Sequence, residues 1–402
     1  MWDRIYSFNR KQVMDGPDAI LIHYAEIALK GRSRPHFERL LRKRIDQAVE
    51  GLGVGPTRWE IGRMTLDLRG VHVDSVIDRL GKVPGIAWFA SMHRLSKNME
   101  VFKRAAVDLS RGDIGSFRVS VKRSDRRFPV TSMEIARQMG ASIVEASGRK
   151  VDLTGYDHNY CLEISEKGAY FFSKRFPGLG GLPTGVNGHV VVFLSGGVDS
   201  TVAAVRMICR GATVHALHFF NASMNEDRVP DRADRLAAAL SRFQGRLTLY
   251  KVDFEPAQKV VVEAVPADHR TIVYRRLMLR TGERLLRENG WNALVTGDIV
   301  GQVAAQTLNN LGAMMAAVNV PVLTPLSGDR REDLLKTVQA LGTHELSSLP
   351  HDDCVNYMAV GNPGLHTSPE EYQAFETFDV DALVSAALEG MDTISFRSGE
   401  KV

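Results

Sequence analysis

The 402-residue chain has few cysteines and no long hydrophobic run. Its three cysteines, Cys161, Cys209 and Cys354, form no Cys-x-x-Cys pair, so we expect no zinc or other metal site built on them. The most apolar run, 189–194, has the length of a strand and falls far short of the roughly 20 apolar residues of a membrane helix. Residues 1–10 have no apolar core and do not resemble a secretory signal. These absences predict a cytoplasmic protein without a membrane segment.

Charge is distributed unevenly along the chain. Residues 1–190 contain 31 Lys and Arg residues against 21 Asp and Glu residues, a net charge of +10, whereas the remaining residues have a net charge of −6. A basic segment ahead of an acidic one is typical of a polyanion-binding module joined to a second domain. With 44% hydrophobic and 24% charged residues, the composition is that of a globular protein of two to four domains.

Strand and helix patterns alternate in the first half of the chain. Residues 18–95 predict a small α+β sandwich with strands near 18–29, 63–68 and 83–95 and helices at 36–49 and 74–80. A second unit starts near Ser96. It is predicted to contain helix 99–109, strand 116–121, a helix that begins at Thr131 or Ser132, a strand from Val151, and a hairpin of 161–164 with 169–174.

After Gly188 the pattern changes to buried strands that alternate with amphipathic helices. The predicted strands are 190–194, 213–219, 247–252 and 293–296, and the predicted helices include 233–243 and 272–288. This alternation is typical of a doubly wound parallel sheet.

The sharpest motif lies where the first of these strands meets a helix. Glycines let the backbone turn tightly there, and the amides of the turn and of the helix N-terminus converge to form a pyrophosphate cradle. An acidic side chain beside such a cradle is accounted for by Mg²⁺ or another cation. The spacing fits neither a Walker loop nor Gly-x-Gly-x-x-Gly, and it resembles the PP-loop of ATP pyrophosphatases. The motif consists of Ser195, Gly196, Gly197, Val198, Asp199 and Ser200, preceded by Leu194.

Basic residues cluster at two loops of the N-terminal half. We expect them to form an RNA-binding face whose affinity falls steeply with salt and which recognises the shape of the RNA more than its base sequence. They are Lys30, Arg32 and Arg34 in one loop, and Lys122, Arg123, Arg126 and Arg127, beside Phe128, in the other.

Taken in order, several segments resemble the tRNA 4-thiouridine synthetase (tRNA sulfurtransferase) family over about residues 18–365. The segments are HYAEIALKGRSRPHFERLL, KRSDRRFPVTSMEI, GGLPTG, SGGVDS, TGDIVGQVAAQTLNNL and the DDC that follows His351. The resemblance implies an α/β protein with three domains: a ferredoxin-like domain at 1–95, a THUMP RNA-binding domain at 96–178 and a PP-loop domain at 179–402. No rhodanese domain is expected, because too little sequence follows Cys354.

The resemblance also implies the site residues. Cys354 would carry persulfide sulfur, Asp199 would be catalytic, and ATP with Mg²⁺ would bind at the PP-loop. Asp352 and Asp353 would raise the pKa of the Cys354 thiol, so its activation must come from a nearby arginine or a helix N-terminus. Cys161 and Cys209 are interpreted as core residues. Arg275 and Arg276 would both be near phosphate, and the further residues assigned to ATP are His218, Phe219, Arg276, Gly297 and Gln306.

The activity implied is conversion of uridine at position eight of tRNA to 4-thiouridine through an adenylated uridine. Sulfur would come from a cysteine desulfurase or from sulfide; a homodimer and a second role in sulfur transfer to the thiazole of thiamine are compatible with the resemblance. The chain departs from the family pattern at Thr201, Asn221, Asp298, Arg330, Arg331 and Val355. Alternative hypotheses are a thiolase of another nucleotide, an amide-forming synthetase, or a non-catalytic tRNA-binding protein of PP-loop fold.

Overall fold

The computed structural model describes residues 16–224, 232–347, 354–356 and 368–402. The chain divides into two compact units, Met1–Gly180 and Gly181–Val402. Within the described residues, no helix is both long enough and apolar enough to cross a membrane.

The first unit consists of strands and helices in the predicted alternation. Its strands are β1 (Ala19–His23), β2 (Arg58–Glu60), β3 (Arg63–Asp67), β4 (Trp88–Leu95), β5 (Phe117–Arg123), β6 (His158–Ile164), β7 (Ala169–Phe172) and β8 (Phe176–Pro177). Its helices are α1 (Arg34–Ala48), α2 (Val73–Leu80), α3 (Met99–Leu109) and α4 (Ser132–Ser147). The predicted start of α4 is confirmed, because the Thr131 side chain accepts a hydrogen bond from the backbone of Glu134 at 3.2 Å.

One continuous sheet runs through this unit in the order β2-β3-β1-β4-β7-β6-β5, with β8 paired to β4. Helices α1 and α2 cover the β1–β3 part with Leu41, Ile45, Val76 and Leu80, and α3 and α4 cover the β5–β6 part. The strand predicted from Val151 is wrong: Val151 makes only an isolated bridge to Phe117, because the chain turns away after one residue pair.

The second unit contains the motif of the nucleotide-binding hypothesis. Its strands are β9 (His189–Phe193), β10 (Thr213–Phe220), β11 (Arg246–Asp253), β12 (Ala293–Val295), β13 (Val322–Leu323), β14 (Asp392–Arg397) and β15 (Glu400–Lys401). Its helices are α5 (Val198–Cys209), α6 (Arg232–Gln244), α7 (Glu255–Ala264), α8 (Arg270–Glu288), α9 (Leu308–Met315), α10 (Arg331–Ala340), α11 (His344–Ser347), α12 (Pro369–Phe375) and α13 (Val380–Glu389).

The strand order of the second sheet is β13-β12-β9-β10-β11-β14-β15. Strands β9 to β13 are parallel, which confirms the predicted doubly wound arrangement. After β9 the chain moves to β10 on one side, and it later returns to β12 on the other. The crevice at the carboxyl ends of β9 and β12 is therefore a topological switch point, where open α/β sheets bind ligands.

The antiparallel edge of this sheet was not predicted. Strand β14 pairs antiparallel with β11, from Arg246 opposite Arg397 to Lys251 opposite Asp392, and β15 extends it as a hairpin. An edge strand from the far end of the chain has a short alternating pattern that gives no sign of which strand it joins.

Candidate active site

The conformation of the loop after β9 is fixed by its glycine backbone and by hydrogen bonds within the loop. Gly196 has φ +91°, a conformation that favours glycine, and Gly197 is the N-cap of α5. The Ser195 hydroxyl accepts a hydrogen bond from the Gly197 backbone at 3.3 Å and lies 3.2 Å from the Ser200 hydroxyl. Thr201, one of the family departures, donates its hydroxyl to the Gly197 carbonyl at 2.9 Å. The segment therefore presents serine hydroxyls and the amino end of a helix, as an anion site requires.

A second loop, after β12, packs directly against this one. A Cβ atom at Gly297 would lie 2.8 Å from the backbone nitrogen of Ser200 and 2.9 Å from the carbonyl carbon of Asp199. Only glycine fits such an approach, so the close contact between the two strand-end loops depends on Gly297.

Both loops open into one cavity of about 420 Å³. From the nucleotide-site prediction, the cavity brings together Leu194, Ser195, Asp199, Ser200, Phe219, Gly297 and Gln306. Thr296, which precedes the predicted Gly297, also lines the cavity; further lining residues that were not predicted are Phe193, Leu217, Thr271, Met278, Val303, Ala304 and Ala305. Two of these residues could have been predicted from their positions next to predicted site residues. Phe193 precedes Leu194, and Met278 lies one helical turn after Arg275 and so on the same face of the helix.

Cys354 lines the same cavity. It begins the short 3₁₀ turn Cys354–Asn356, and it is 8% exposed. Its carbonyl accepts a hydrogen bond from the Gln258 side chain at 2.5 Å, and Val355, which stands where the family often has a second cysteine, also lines the cavity. The predicted neighbours His351, Asp352 and Asp353 lie outside the described residues. The predicted sulfur carrier and the predicted nucleotide loop therefore line the same cavity.

Of the two arginines predicted to lie near phosphate, Arg275 lines the cavity, and the assignment of Arg276 is corrected. Arg276 is 2% exposed; it forms an ion pair with Glu376 at 2.7 Å and donates to the Ala313 carbonyl. Its guanidinium therefore ties α8 to the end of α12 instead of lining the cavity. Adjacent residues on a helix are rotated by about 100° from each other, so the two arginines face different surroundings.

Arg275 is fixed by a buried carboxylate. Its Nη2 lies 2.7 Å from both carboxylate oxygens of Asp298, which also accepts hydrogen bonds from Thr296 at 2.7 Å and from Gln306 at 3.0 Å. Burial disfavours the charged form of Asp298, but Arg275 and the hydrogen bonds outweigh it and hold the pKa of Asp298 below its usual range. This aspartate, where the family usually has glutamate, stays ionised and holds an arginine at the cavity wall.

Asp199 is suited to hold a cation. The Gln302 amide donates to one of its carboxylate oxygens at 3.0 Å. The other carboxylate oxygen is buried and has no hydrogen-bond partner among the described residues. A carboxylate oxygen of this kind beside an anion-binding loop fits Mg²⁺, which binds through one or two carboxylates together with phosphate oxygens.

The remaining predicted nucleotide residues are next to the cavity and are not among the residues that line it. His218 donates through Nδ1 to the Leu194 carbonyl at 2.7 Å, so it fixes the end of β9, while its neighbour Phe219 faces the cavity. Gly196, Gly197 and Val198 supply the backbone of the loop.

The two other cysteines have the buried environments expected of core residues. Cys161, in β6, is 4% exposed, and burial raises the pKa of its thiol. Cys209, at the last residue of α5, is partly buried, and burial raises the pKa of its thiol to about 11. Both thiols are therefore disfavoured as thiolates at neutral pH.

The predicted RNA-binding residues lie in two segments of the first unit: residues 30–34 lead into the first turn of α1, and residues 122–127 span the end of β5 and the loop that follows it. Arg32, Lys122 and Arg126 are exposed. Three of the arginines have structural partners: Arg34 pairs with Glu38, Arg123 donates to the carbonyls of Phe128 and Val130, and Arg127 pairs with Asp125 and Glu166. The Lys30 amine lies 5.3 Å from the centre of the Phe37 ring.

Three family models match successive parts of the chain. They are the ThiI ferredoxin-like domain over residues 19–90, the THUMP domain over 96–174 and Thiamine biosynthesis protein (ThiI) over 185–379. The ferredoxin-like, THUMP and PP-loop architecture expected from the sequence is thereby confirmed.

Individual relatives agree with these models. The chain is 39% identical over 342 residues to a probable tRNA sulfurtransferase of Thermus thermophilus, covering 85% of this chain and 84% of the relative. It is 35% identical over 376 residues to a probable tRNA sulfurtransferase of Brevibacillus brevis, and the match covers 92% of this chain and 94% of the relative.

Two solved structures share the fold. The crystal structure of a 4-thiouridine synthetase–RNA complex with bound ATP matches with a TM-score of 0.84 and 29% identity, over 95% of this chain and 100% of that one. The crystal structure of PH1313 from Pyrococcus horikoshii matches with a TM-score of 0.63 and 22% identity, over 81% of this chain and 99% of that one. The family models, the relatives and the ATP-bound structure agree, and this chain belongs to the tRNA sulfurtransferase family.

Proposed function

We propose that the protein converts uridine at position eight of tRNA to 4-thiouridine in an ATP-dependent reaction. The observation that carries the proposal is that the PP-loop and Cys354 line one cavity of about 420 Å³. Activation of an oxygen and its replacement by sulfur take place at the same carbon atom, so the nucleotide site and the sulfur carrier must meet. A protein that only binds RNA has no need of this arrangement.

In the first step the O4 oxygen of uridine attacks the α-phosphorus of ATP. The bond between O4 and phosphorus forms, the bond to pyrophosphate breaks, and the proton on N3 leaves. The hydroxyls and amides of Ser195–Ser200 would hold the pyrophosphate, and Arg275 would neutralise charge that develops on the phosphates. Adenylation turns a poor leaving oxygen into a good one.

In the second step the terminal sulfur of a Cys354 persulfide attacks C4, and AMP leaves. This joins Cys354 to the base through a disulfide. An external thiol or another reductant then cleaves that bond and releases 4-thiouridine. Sulfide can instead attack C4 directly and give the same product without a disulfide.

Magnesium is the cation that this site would hold, with Asp199 as its protein ligand. When bound there, it would supply positive charge to the pyrophosphate leaving group. The buried carboxylate oxygen of Asp199, which has no hydrogen-bond partner in the part of the chain that the structure describes, supports this assignment.

The tRNA would bind to the basic first unit. Arg32, Lys122 and Arg126 would contact phosphate, because their side chains are exposed in the two basic segments 30–34 and 122–127. Loss of counterions on binding would make the affinity fall steeply as salt rises.

Thiolation of an unmodified tRNA transcript tests the proposal. The protein is incubated with ATP, Mg²⁺ and either sulfide or a cysteine desulfurase with cysteine, and the nucleosides are analysed. A 4-thiouridine peak that requires ATP is the expected result. Its absence with both sulfur sources would overturn the assigned reaction.

The role of Cys354 is tested separately with Cys354→Ser. We expect this variant to lose the desulfurase-driven reaction. If the desulfurase-driven rate is unchanged, Cys354 is not the sulfur carrier. Exchange of pyrophosphate into ATP in the presence of tRNA would distinguish an active enzyme from a binding protein with an inactive nucleotide site.

A further inference from the structure

Gln258 is a fully buried amide that reaches the residue proposed to carry sulfur. It lies in α7, it is 0% exposed, and its Nε2 donates to the Cys354 carbonyl at 2.5 Å. Its Oε1 is buried without a hydrogen-bond partner among the described residues. Among the described residues, the hydrogen bond to Cys354 is therefore the polar contact that Gln258 makes through its side chain and that an apolar residue of the same size could not make.

Gln258 lies in a segment that contributes buried apolar side chains to the core of the second unit. Its neighbours Phe254, Ala257 and Val261 belong to the same buried cluster as Cys354. A buried amide with half of its hydrogen-bonding capacity unused is costly, and an apolar side chain would pack there at lower cost. Stability alone does not account for a glutamine at this position.

The hydrogen bond acts on the position of the thiol. The carbonyl carbon of Cys354 is bonded to its Cα, so fixing the carbonyl limits where the side chain can lie. Cys354 begins the 3₁₀ turn Cys354–Asn356, and a single turn of this kind has few hydrogen bonds of its own. An anchor from a long-range partner such as α7 supplies that restraint.

We propose that Gln258 is a positioning residue for sulfur transfer, which holds Cys354 at the cavity that the PP-loop lines. The inference rests on the proposed function, because it assumes that Cys354 carries the sulfur. Gln258 does not line the cavity with the residues of the nucleotide loop. It therefore acts on the sulfur step and not on adenylation.

A second buried glutamine provides a matched control. Gln244, which is 4% exposed, binds the backbone of Val214 and Arg246 through three hydrogen bonds and joins α6 to strands β10 and β11. Gln244→Leu removes buried hydrogen bonds of the same chemical kind without contact to Cys354. Its effect measures the cost of losing a buried amide in this unit.

The experiment compares two steps in Gln258→Leu, Gln244→Leu and the parent protein. One is the rate of 4-thiouridine formation with a cysteine desulfurase and cysteine, and the other is tRNA-dependent exchange of pyrophosphate into ATP. We expect Gln258→Leu to lower the first rate about tenfold, the rate equivalent of one lost hydrogen bond, and to change the exchange rate less than about twofold. Gln244→Leu is expected to lower both rates in parallel or neither.

The position of the thiol is followed directly by the rate at which iodoacetamide alkylates Cys354, measured on the peptide by mass spectrometry. The rate in Gln258→Leu is expected to differ from that of the parent, whereas Gln244→Leu leaves it unchanged. If Gln258→Leu does not fold, Gln258→Met replaces it, since methionine is an unbranched side chain of similar length that lacks a hydrogen-bond donor.

Equal loss of both rates in Gln258→Leu, or no loss in either, would overturn the inference. The Cys354→Ser variant separates this failure from failure of the proposed function. If Cys354→Ser keeps the desulfurase-driven rate, the sulfur carrier is misassigned and the inference fails with it. If Cys354→Ser is inactive while Gln258→Leu shows no selective loss, only the role of Gln258 is wrong.

Discussion

Arg275 binds both carboxylate oxygens of Asp298 through a single nitrogen, at 2.7 Å each, and it lies at the wall of the cavity that contains the PP-loop and Cys354. The pair fixes the direction of a long cationic side chain that would otherwise be mobile. A guanidinium held in place can meet a phosphate without a further loss of side-chain entropy.

Asp298→Asn is expected to weaken both stability and activity. The substitution removes the buried counter-charge of Arg275, and breaking a buried pair costs about 3 kcal/mol in the free energy of unfolding. We expect the rate of 4-thiouridine formation at limiting ATP to fall at least about tenfold, since each 1.4 kcal/mol lost from the transition state is a factor of ten. Urea denaturation and a titration of ATP measure the two effects.

The control for Asp298 is Asp333→Asn. Asp333 pairs with Arg330 and Lys336 on the surface of α10, where solvent screens the charges, so little change in stability is expected. Parent-like stability and parent-like ATP dependence in Asp298→Asn would contradict the positioning role of the carboxylate.

Gly297→Ala is expected to separate the two strand-end loops. The added methyl group would lie 2.8 Å from the Ser200 backbone nitrogen, and a backbone atom at this distance cannot move aside cheaply. We expect tRNA-dependent exchange of pyrophosphate into ATP to fall at least about tenfold, because even a small displacement of a binding loop misaligns the reacting groups.

Gly312→Ala is the matched glycine substitution. Gly312 lies in α9, and outside the backbone of that helix a Cβ atom there would meet no atom of the described residues within 4 Å. Alanine favours a helix over glycine by about 1 kcal/mol, so this variant should be as active as the parent and no less stable. Equal activity in Gly297→Ala and Gly312→Ala would show that the close approach of the loops is unimportant.

Asp199→Ala is expected to abolish thiolation and to spare tRNA binding. The variant loses the carboxylate proposed to bind the cation, whereas the basic segments 30–34 and 122–127 of the first unit are unchanged. Nucleoside analysis and a tRNA filter-binding assay measure the two properties. Unchanged thiolation would refute the assigned site, and loss of tRNA binding would show that Asp199 has a wider structural role.

The pair His189 and His215 predicts a loss of stability in acid. The two rings approach to 3.0 Å between Nδ1 of His189 and Nε2 of His215, and His215 stacks on Trp291 at 3.8 Å. Burial, with a smaller contribution from the charge of His189, lowers the pKa of His215 to about 4. An unfolded histidine has a pKa of about 6.5, so the unfolded chain binds this proton first.

Stability from His215 is therefore fully present above pH 6.5 and is lost as the pH falls from there towards 4. We expect His215→Phe, which keeps an aromatic ring on Trp291, to show a smaller drop in the free energy of unfolding between pH 7 and pH 4 than the parent. Urea denaturation at several pH values measures the difference. Parallel pH profiles would contradict a His215 that stays neutral in the folded protein.

Local sequence features determined much of what could be predicted. The glycines and serines of 195–200, between a buried strand and a helix, indicate an anion-binding turn without any knowledge of the rest of the fold. Likewise, helix α3 begins at its predicted residue because Asn98 caps its first turn, with a hydrogen bond of 2.8 Å from the Glu100 backbone. Such signals are short-range, since their hydrogen-bond partners lie within one turn of the chain.

Only the tertiary structure decided which distant residues meet. Arg275 and Arg276 are neighbours in a basic helix. Arg276 is buried against Glu376, and Arg275 is the one of the two that lines the cavity. No local sequence feature near Gln258 predicts its hydrogen bond to Cys354. In the same way, the sequence of β14 does not indicate that it pairs with β11. These contacts join segments that are far apart in the chain, and packing of the whole second unit selects them.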